Sequence, residues 1–272
     1  MPASSLSALR AFLLDMDGTL VVDALPLPGA RELVELLRQR KQRLLFLTNN
    51  SSARGSEYRQ RLERLGIPAR EDEVLTSGEA TWRYLRRETR YRRPFLLGTP
   101  ALQDEFREAG LPPAERDPDC VVLGFDKTLT YSKLARASLL VAGGLPYFAT
   151  HADLTCITAE GLIPDTGSFI AAIEAVTGRR PKVLGKPEPE MVAAALERLG
   201  TSANETAMVG DQLDTDMTMA QHAGLLGVLV LSGETSREQL AAQREVKPDL
   251  VLSGVAELVG ILDPKVREAT RP

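Results

Sequence analysis

Cysteine and histidine are scarce: the chain holds Cys120 and Cys156, and His151 and His222. Two thiols cannot form a disulfide framework, and without a Cys/His cluster there is no zinc site. No apolar run approaches the roughly 18 residues that a membrane helix needs, so no membrane partner is expected. Met1–Leu14 lacks a basic segment followed by a long apolar run and a small-residue cleavage site, which predicts no secretory signal and a cytoplasmic location. Neither sign of charge dominates. The balance of 33 Lys+Arg against 37 Asp+Glu leaves −4, which argues against a surface given over to nucleic acid. What is present is an ordinary globular composition, 43% hydrophobic and 26% charged over 272 residues. That is too apolar for disorder and long enough for one large domain or two smaller ones.

Apolar strand-like runs alternate with amphipathic helix-like runs. Strands are predicted at Ala11–Asp15, Arg43–Thr48, Thr206–Val209, Gly227–Leu231 and Asp249–Leu252, with helices at Gly29–Arg40, Ser56–Leu65, Glu190–Leu199 and Thr215–Ala223. Thr235 and Glu238 have the spacing of a capping box for one more helix. This alternation implies an α/β fold, a doubly wound parallel sheet with helices on both faces. The middle of the chain has an alternation of its own, bounded by Arg92-Arg93-Pro94 and Arg179-Arg180-Pro181. It predicts a smaller inserted α/β domain at 86–182, with the Rossmann-like core made of 1–85 and 183–272.

Four loops that follow apolar strands carry the polar chemistry. Asp15-Met16-Asp17-Gly18-Thr19 places two carboxylates at a strand's carboxyl end, where open α/β sheets bind ligands. Adjacent carboxylates disfavour each other's ionisation, and a divalent cation relieves that. Asp and Gly are also common turn residues, so an acidic turn is the bland alternative. Thr48-Asn49-Asn50-Ser51-Ser52 offers small donors suited to phosphate oxygens, or simply a polar loop. Gly185-Lys186-Pro187 sets one ammonium where it can neutralise a phosphate, or merely stand on the surface. Gly210-Asp211 through Asp214-Thr215-Asp216 supplies hard oxygen ligands of the kind Mg²⁺ uses, or a helix N-cap.

This ordered set, Asp-x-Asp, Thr-Asn, Lys, then Gly-Asp…Asp, resembles the haloacid dehalogenase-like hydrolases, and within them the NagD-type, 4-nitrophenylphosphatase branch. The resemblance covers nearly the whole chain and places a cap domain where the insertion is predicted. It implies that Asp15 is a nucleophile that becomes an aspartyl-phosphate and that Asp17 is the general acid and base. Mg²⁺ would be held by Asp15, Asp211 and the backbone carbonyl of Asp17, with Asp216 orienting Lys186 or metal-bound water from behind. Thr48 and Asn49 would hydrogen-bond the transferring phosphoryl group, and Lys186 would balance its charge.

The expected activity is therefore hydrolysis of a small phosphate ester, with p-nitrophenyl phosphate as a convenient substrate. The alternatives are a phosphotransferase of the same family and a non-catalytic module binding a phospho-ligand or nucleic acid. Asp17 favours phosphoryl transfer over dehalogenation, because an alkoxide leaving group needs an acid. His151 and Asp165, in two cap segments, are candidates for substrate choice. A homodimer is a further expectation by resemblance. Two features are read as non-catalytic. Gly124-Phe125-Asp126-Lys127 echoes the first motif but has glycine at the nucleophile position. Arg83, Arg86, Arg87 and Arg90 are spaced as one solvated helix face, although interleaved aromatics also suit stacking on single-stranded nucleic acid.

Overall fold

The computed structural model describes residues 6–22, 24–158 and 160–263; the outer ends of the expected core segments 1–85 and 183–272 lie outside the described residues. The chain divides into two compact units. The first takes the residues up to Thr48, Tyr58–Leu75 and those from Val192; the second takes Asn49–Glu57 and Thr76–Met191.

The elements begin with β1 (Ala11–Asp15), the short pair β2 (Val21–Val22) and β3 (Leu25–Pro26), α1 (Ala30–Gln39), β4 (Arg43–Thr48), α2 (Gly55–Arg64) and β5 (Val74–Thr76). Next come α3 (Ser77–Glu88), β6 (Pro94–Leu97), α4 (Pro100–Glu108), β7 (Cys120–Leu123), α5 (Tyr131–Ala142), β8 (Tyr147–Ala149), β9 (Thr155–Thr158), β10 (Gly161–Pro164), α6 (Thr166–Thr177) and β11 (Lys182–Val183). The chain then runs through α7 (Pro189–Leu199), β12 (Thr206–Gly210), a π-helical turn (Leu213–Met217), α8 (Thr218–Ala223), β13 (Leu226–Val230), α9 (Arg237–Ala242), β14 (Leu250–Leu252) and α10 (Val255–Leu262).

In the first unit a six-stranded sheet runs β14-β13-β12-β1-β4-β5. Strand β1 lies parallel to β12 on one side and to β4 on the other, and every residue of its Ala-Phe-Leu-Leu-Asp run is buried. A strand covered on both faces has no solvent side, so its sequence is a continuous apolar run rather than an alternation. Helix α1 turns Ala30, Leu33, Val34 and Leu37 inward, the 3.6-residue stripe of a core-facing helix.

The second unit holds a parallel four-stranded sheet, β11-β8-β7-β6, and the antiparallel hairpin β9–β10. This unit is wider than the expected 86–182, and packing explains why. Leu85 of α3 is fully buried in one cluster with Leu96, Leu102, Phe106 and Phe148, with Trp82 and Tyr84 packed against it. Ser51 is tied in by its hydroxyl, which accepts from Phe125 N–H at 2.9 Å.

Three expectations need correction. Helix α3 ends at Glu88, so Arg90 is not on its face; Arg92 instead donates to the Leu85 and Thr89 carbonyls at its end. The Arg83 and Arg86 guanidinium groups lie over the Trp82 ring at 5.1 and 5.8 Å. The capping box of α9 is one residue later than predicted, made by Ser236 and Gln239. The predicted helix Thr215–Ala223 is a π-helical turn followed by α8. Among the described residues no helix is long and apolar enough to cross a membrane.

Candidate active site

Counted along the chain, the six strands of the first sheet lie in the order 3-2-1-4-5-6, with the reversal between β1 and β12. The crevice at the carboxyl ends of two such strands is open, because their connections leave in opposite directions, and it is where α/β sheets bind ligands. Asp15 is the last residue of β1, and Asp211 directly follows β12, whose Val209 is in register with Leu14. Asp216 is returned to the same place by the π-helical turn, and its Oδ2 accepts from Gln212 N–H at 3.2 Å. One carboxylate oxygen from each of Asp15, Asp211 and Asp216 lies within 4.8 Å of the other two, and all three residues are buried.

Asp211 is held on both oxygens. Thr19 Oγ1 donates to Oδ1 at 3.2 Å, and Glu234 N–H donates to Oδ2 at 2.7 Å. Three anionic groups crowded out of water repel one another strongly unless positive charge or protons offset them. The donor set is all oxygen, compact and shielded, which fits a hard divalent cation of the Mg²⁺ class rather than a soft metal.

Asp17 is not part of that trio. Its side chain is 51% exposed, and its Oδ1 accepts from Arg61 Nη2 of α2 at 2.9 Å. Thr48 ends β4 beside the site, one residue past the Asp15↔Leu47 register pair, and is buried. Asn49 and Lys186 belong to the second unit, where they are bound to each other. Asn49 Oδ1 accepts from Lys186 N–H at 2.8 Å, and its Nδ2 donates to the Lys186 carbonyl at 3.1 Å. The same Nδ2 donates to both oxygens of Asp153, at 3.3 and 3.2 Å. The side chain expected on a phosphoryl oxygen is thus engaged elsewhere.

His151 and Asp165, expected as candidates for substrate choice, are buried and bonded to each other. His151 has no exposed surface; its Nε2 bonds Asp165 Oδ1 at 2.8 Å and its Nδ1 bonds Thr150 Oγ1 at 2.9 Å. Asp165 also caps α6, accepting from Thr166 N–H. The pair fastens the start of that helix to the end of β8. The echo of the first motif is likewise a closed turn: Asp126 accepts from Thr128 N–H at 2.8 Å and pairs with Lys133 Nζ at 2.9 Å.

Sequence reasoning passed over Thr19, Arg61, Glu234 and Asp153. Thr19 stands inside the first motif and was within reach. The other three announce themselves through no spacing or pattern, since each acts from a loop or helix remote in sequence.

Comparison with known proteins agrees with this geometry. A haloacid dehalogenase-like hydrolase profile matches residues 12–112, and a second, HAD-hydrolase-like profile matches residues 183–258. A 5'-nucleotidase of Bacillus subtilis is 32% identical over 92% of this chain and 97% of its own length. The crystal structure of a 4-nitrophenylphosphatase from Thermotoga maritima is 44% identical, with a TM-score of 0.90 over 95% of this chain and 99% of that one. A glycerol phosphate phosphatase from Mycobacterium tuberculosis, solved in complex with magnesium, is 34% identical, with a TM-score of 0.84 over 93% of this chain and 76% of that one. On its strand order, its carboxylate trio and these likenesses, the chain belongs to the haloacid dehalogenase-like hydrolases, in their NagD-type, 4-nitrophenylphosphatase branch.

Proposed function

We propose that this enzyme hydrolyses phosphate monoesters of small molecules, with Asp15 as the nucleophile. The observation that carries the reading is the buried trio Asp15, Asp211 and Asp216 at the reversal point of the sheet. A carboxylate at a strand's end is well placed for in-line attack, and two more beside it form an oxygen set that a divalent cation would relieve. The relatives support the phosphate ester as the common element. They are named for a nucleotide, for nitrophenyl phosphate and for glycerol phosphate, so the leaving group varies while the phosphoryl group does not.

In this reading Mg²⁺ would be held by Asp15 and Asp211, with the Asp216 carboxylate and the Asp17 backbone carbonyl as further candidate ligands. Bound there, the cation offsets repulsion between the carboxylates and the phosphate dianion. The need is real, because two unit charges about 4 Å apart repel by roughly 4 kcal/mol at an effective dielectric near 20.

The chain's own residues do the rest. Asp15 Oδ forms a bond to phosphorus as the ester oxygen leaves, and Asp17 gives that oxygen its proton. Asp17 then takes a proton from water, which attacks phosphorus, releases inorganic phosphate and regenerates the Asp15 carboxylate. To reach a leaving oxygen Asp17 exchanges its contact with Arg61, an exposed ion pair of the kind worth less than about 1 kcal/mol. Thr48 donates to the phosphoryl oxygens, and Lys186 supplies positive charge to them.

Hydrolysis of p-nitrophenyl phosphate with and without Mg²⁺ tests the reading. Wild type is expected to turn over only with the metal, and Asp15→Asn to lose at least about 10³-fold in kcat, because an amide oxygen is no substitute nucleophile. Equal rates for the two proteins would remove Asp15 from its role.

A further inference from the structure

Asn49 immediately follows β4, and its side chain offers one carbonyl oxygen and two N–H donors. Both donors are engaged in the second unit, one by the Lys186 carbonyl at 3.1 Å and the other by the Asp153 carboxylate at 3.2 and 3.3 Å. The oxygen accepts from Lys186 N–H at 2.8 Å. The partners dictate which way round the amide sits. Turned over, it would set an N–H against the Lys186 N–H and a carbonyl oxygen against the Asp153 carboxylate. Asn49 and Lys186 are 7% and 5% exposed, so water does not compete for these bonds.

The neighbouring backbone is fitted to the arrangement. A Cβ on Gly185 would lie 2.4 Å from the Thr150 carbonyl oxygen and 2.7 Å from Asn49 Oδ1, so only glycine lets the chain pass. Ser77 Oγ donates to the Asn49 carbonyl from the start of α3.

We propose that the Asn49 side chain positions Lys186 and is not itself a ligand of the phosphate. Its amide grips the Lys186 backbone at both N–H and C=O, and Asp153 locks the amide in the one orientation that allows this grip. The proposal rests on the phosphatase reading, in which the Lys186 ammonium serves the phosphoryl group, and deepens it by saying how that ammonium is aimed. A lysine swings on four methylenes, and fixing its backbone removes the part of that freedom the side chain cannot control. No side-chain N–H of Asn49 is left over for an anion.

A double-mutant cycle on kcat/KM for p-nitrophenyl phosphate decides the matter, with far-UV circular dichroism as a check on folding. Asn49→Ala is expected to lower kcat/KM by roughly 10- to 100-fold, the size of loss that follows misplacement of a catalytic group. In a Lys186→Met background the same change should lower it by less than about two-fold, because the group being aimed is gone. Losses that multiply in the double variant would mean that Asn49 meets the phosphate directly, and wild-type activity in Asn49→Ala would mean that no clamp is needed; either result overturns the proposal.

Should Asn49→Ala fail to fold, a reciprocal exchange gives the answer. Asn49→Asp alone sets two carboxylates face to face and loses activity, whereas Asn49→Asp with Asp153→Asn restores a donor and acceptor between them, keeps the bond from the Lys186 N–H though not the one to its carbonyl, and should regain about 10-fold. A phosphate ligand would not be rescued in this way, since the carboxylate would still repel the substrate, so absence of rescue overturns the proposal. The failures are separable. A fully active Lys186→Met removes Lys186 from catalysis and the clamp's purpose with it, while a wild type that hydrolyses no phosphate ester in the presence of Mg²⁺ removes the phosphatase reading itself.

Discussion

Gly18 and Gly233 both press against the Asp211 carboxylate. A Cβ on Gly233 would lie 2.0 Å from Asp211 Oδ2, and one on Gly18, whose φ is +83°, would lie 2.3 Å from the same oxygen. Because that carboxylate is already tied to Thr19 and to the Glu234 N–H, Gly233→Ala must displace it. The expected result is a native circular dichroism spectrum with kcat/KM on p-nitrophenyl phosphate reduced by roughly 100-fold; unchanged turnover would show that the position of Asp211 is not critical.

Glu105 on α4 is a different case, a carboxyl whose Oε1 accepts from Trp82 Nε1 at 3.0 Å while its buried Oε2 has no hydrogen-bond partner among the described residues. Burial pushes its pKa up to about 7; the Trp82 bond pulls it down, Glu79 pushes it up, and Arg54 and Glu108 add smaller opposed effects. The folded state therefore holds this proton more tightly than the unfolded chain, whose ordinary value is 4.5. The resulting stability is fully present below the unfolded pKa and is lost as pH rises from there through the folded one. The loss is at most about 3 kcal/mol. Denaturation followed by Trp82, the single tryptophan, should show that slope in wild type and a flatter one in Glu105→Gln. Parallel slopes would exonerate Glu105.

At the scale of elements, buried strands were the most legible features. Ala11–Asp15 and Arg43–Thr48 match their predicted bounds, because an apolar run ending at polar, turn-forming residues admits few alternatives. Caps were less legible. Thr235-x-x-Glu238 and Ser236-x-x-Gln239 are equally good boxes on paper, and the choice fell to Ser236 because the Thr235 N–H is drawn to the Asp211 carbonyl at 3.3 Å. Helix α9 buries none of its residues, so its cap counts for more than usual. Ser236→Ala should weaken it by about 1 kcal/mol, read as roughly five-fold faster amide exchange across Arg237–Ala242. Exchange unchanged in that variant would show the helix to be held by something other than its cap. The π-helical turn was not legible at all. Leu213–Met217 has the composition of an ordinary first helical turn, and one residue too many per turn is a property of its surroundings.

For the whole molecule, a cation bound by the native trio and not by the unfolded chain must raise stability by mass action. The gain is about 2.7 kcal/mol at one hundred times the dissociation constant. Mg²⁺ is expected to raise the Tm of wild type in a concentration-dependent way and to leave that of Asp211→Asn nearly unmoved. Equal shifts in the two would place the binding elsewhere.

The α/β class, the strand ends that carry Asp15 and Asp211, and the presence of a second unit could all be read from the amino-acid pattern. These follow from local hydrophobic pattern and from the residues that break it, which act over a few positions. Packing, and nothing local, brings Asp216 into the carboxylate trio, leans Asp17 on Arg61, buries His151 against Asp165, and sets Asn49 on Lys186 across 137 positions of chain. The reason is physical. A hydrogen bond needs its partners within a few tenths of an ångström and correctly aimed, and where two remote loops come to rest is set by the packing of everything between them.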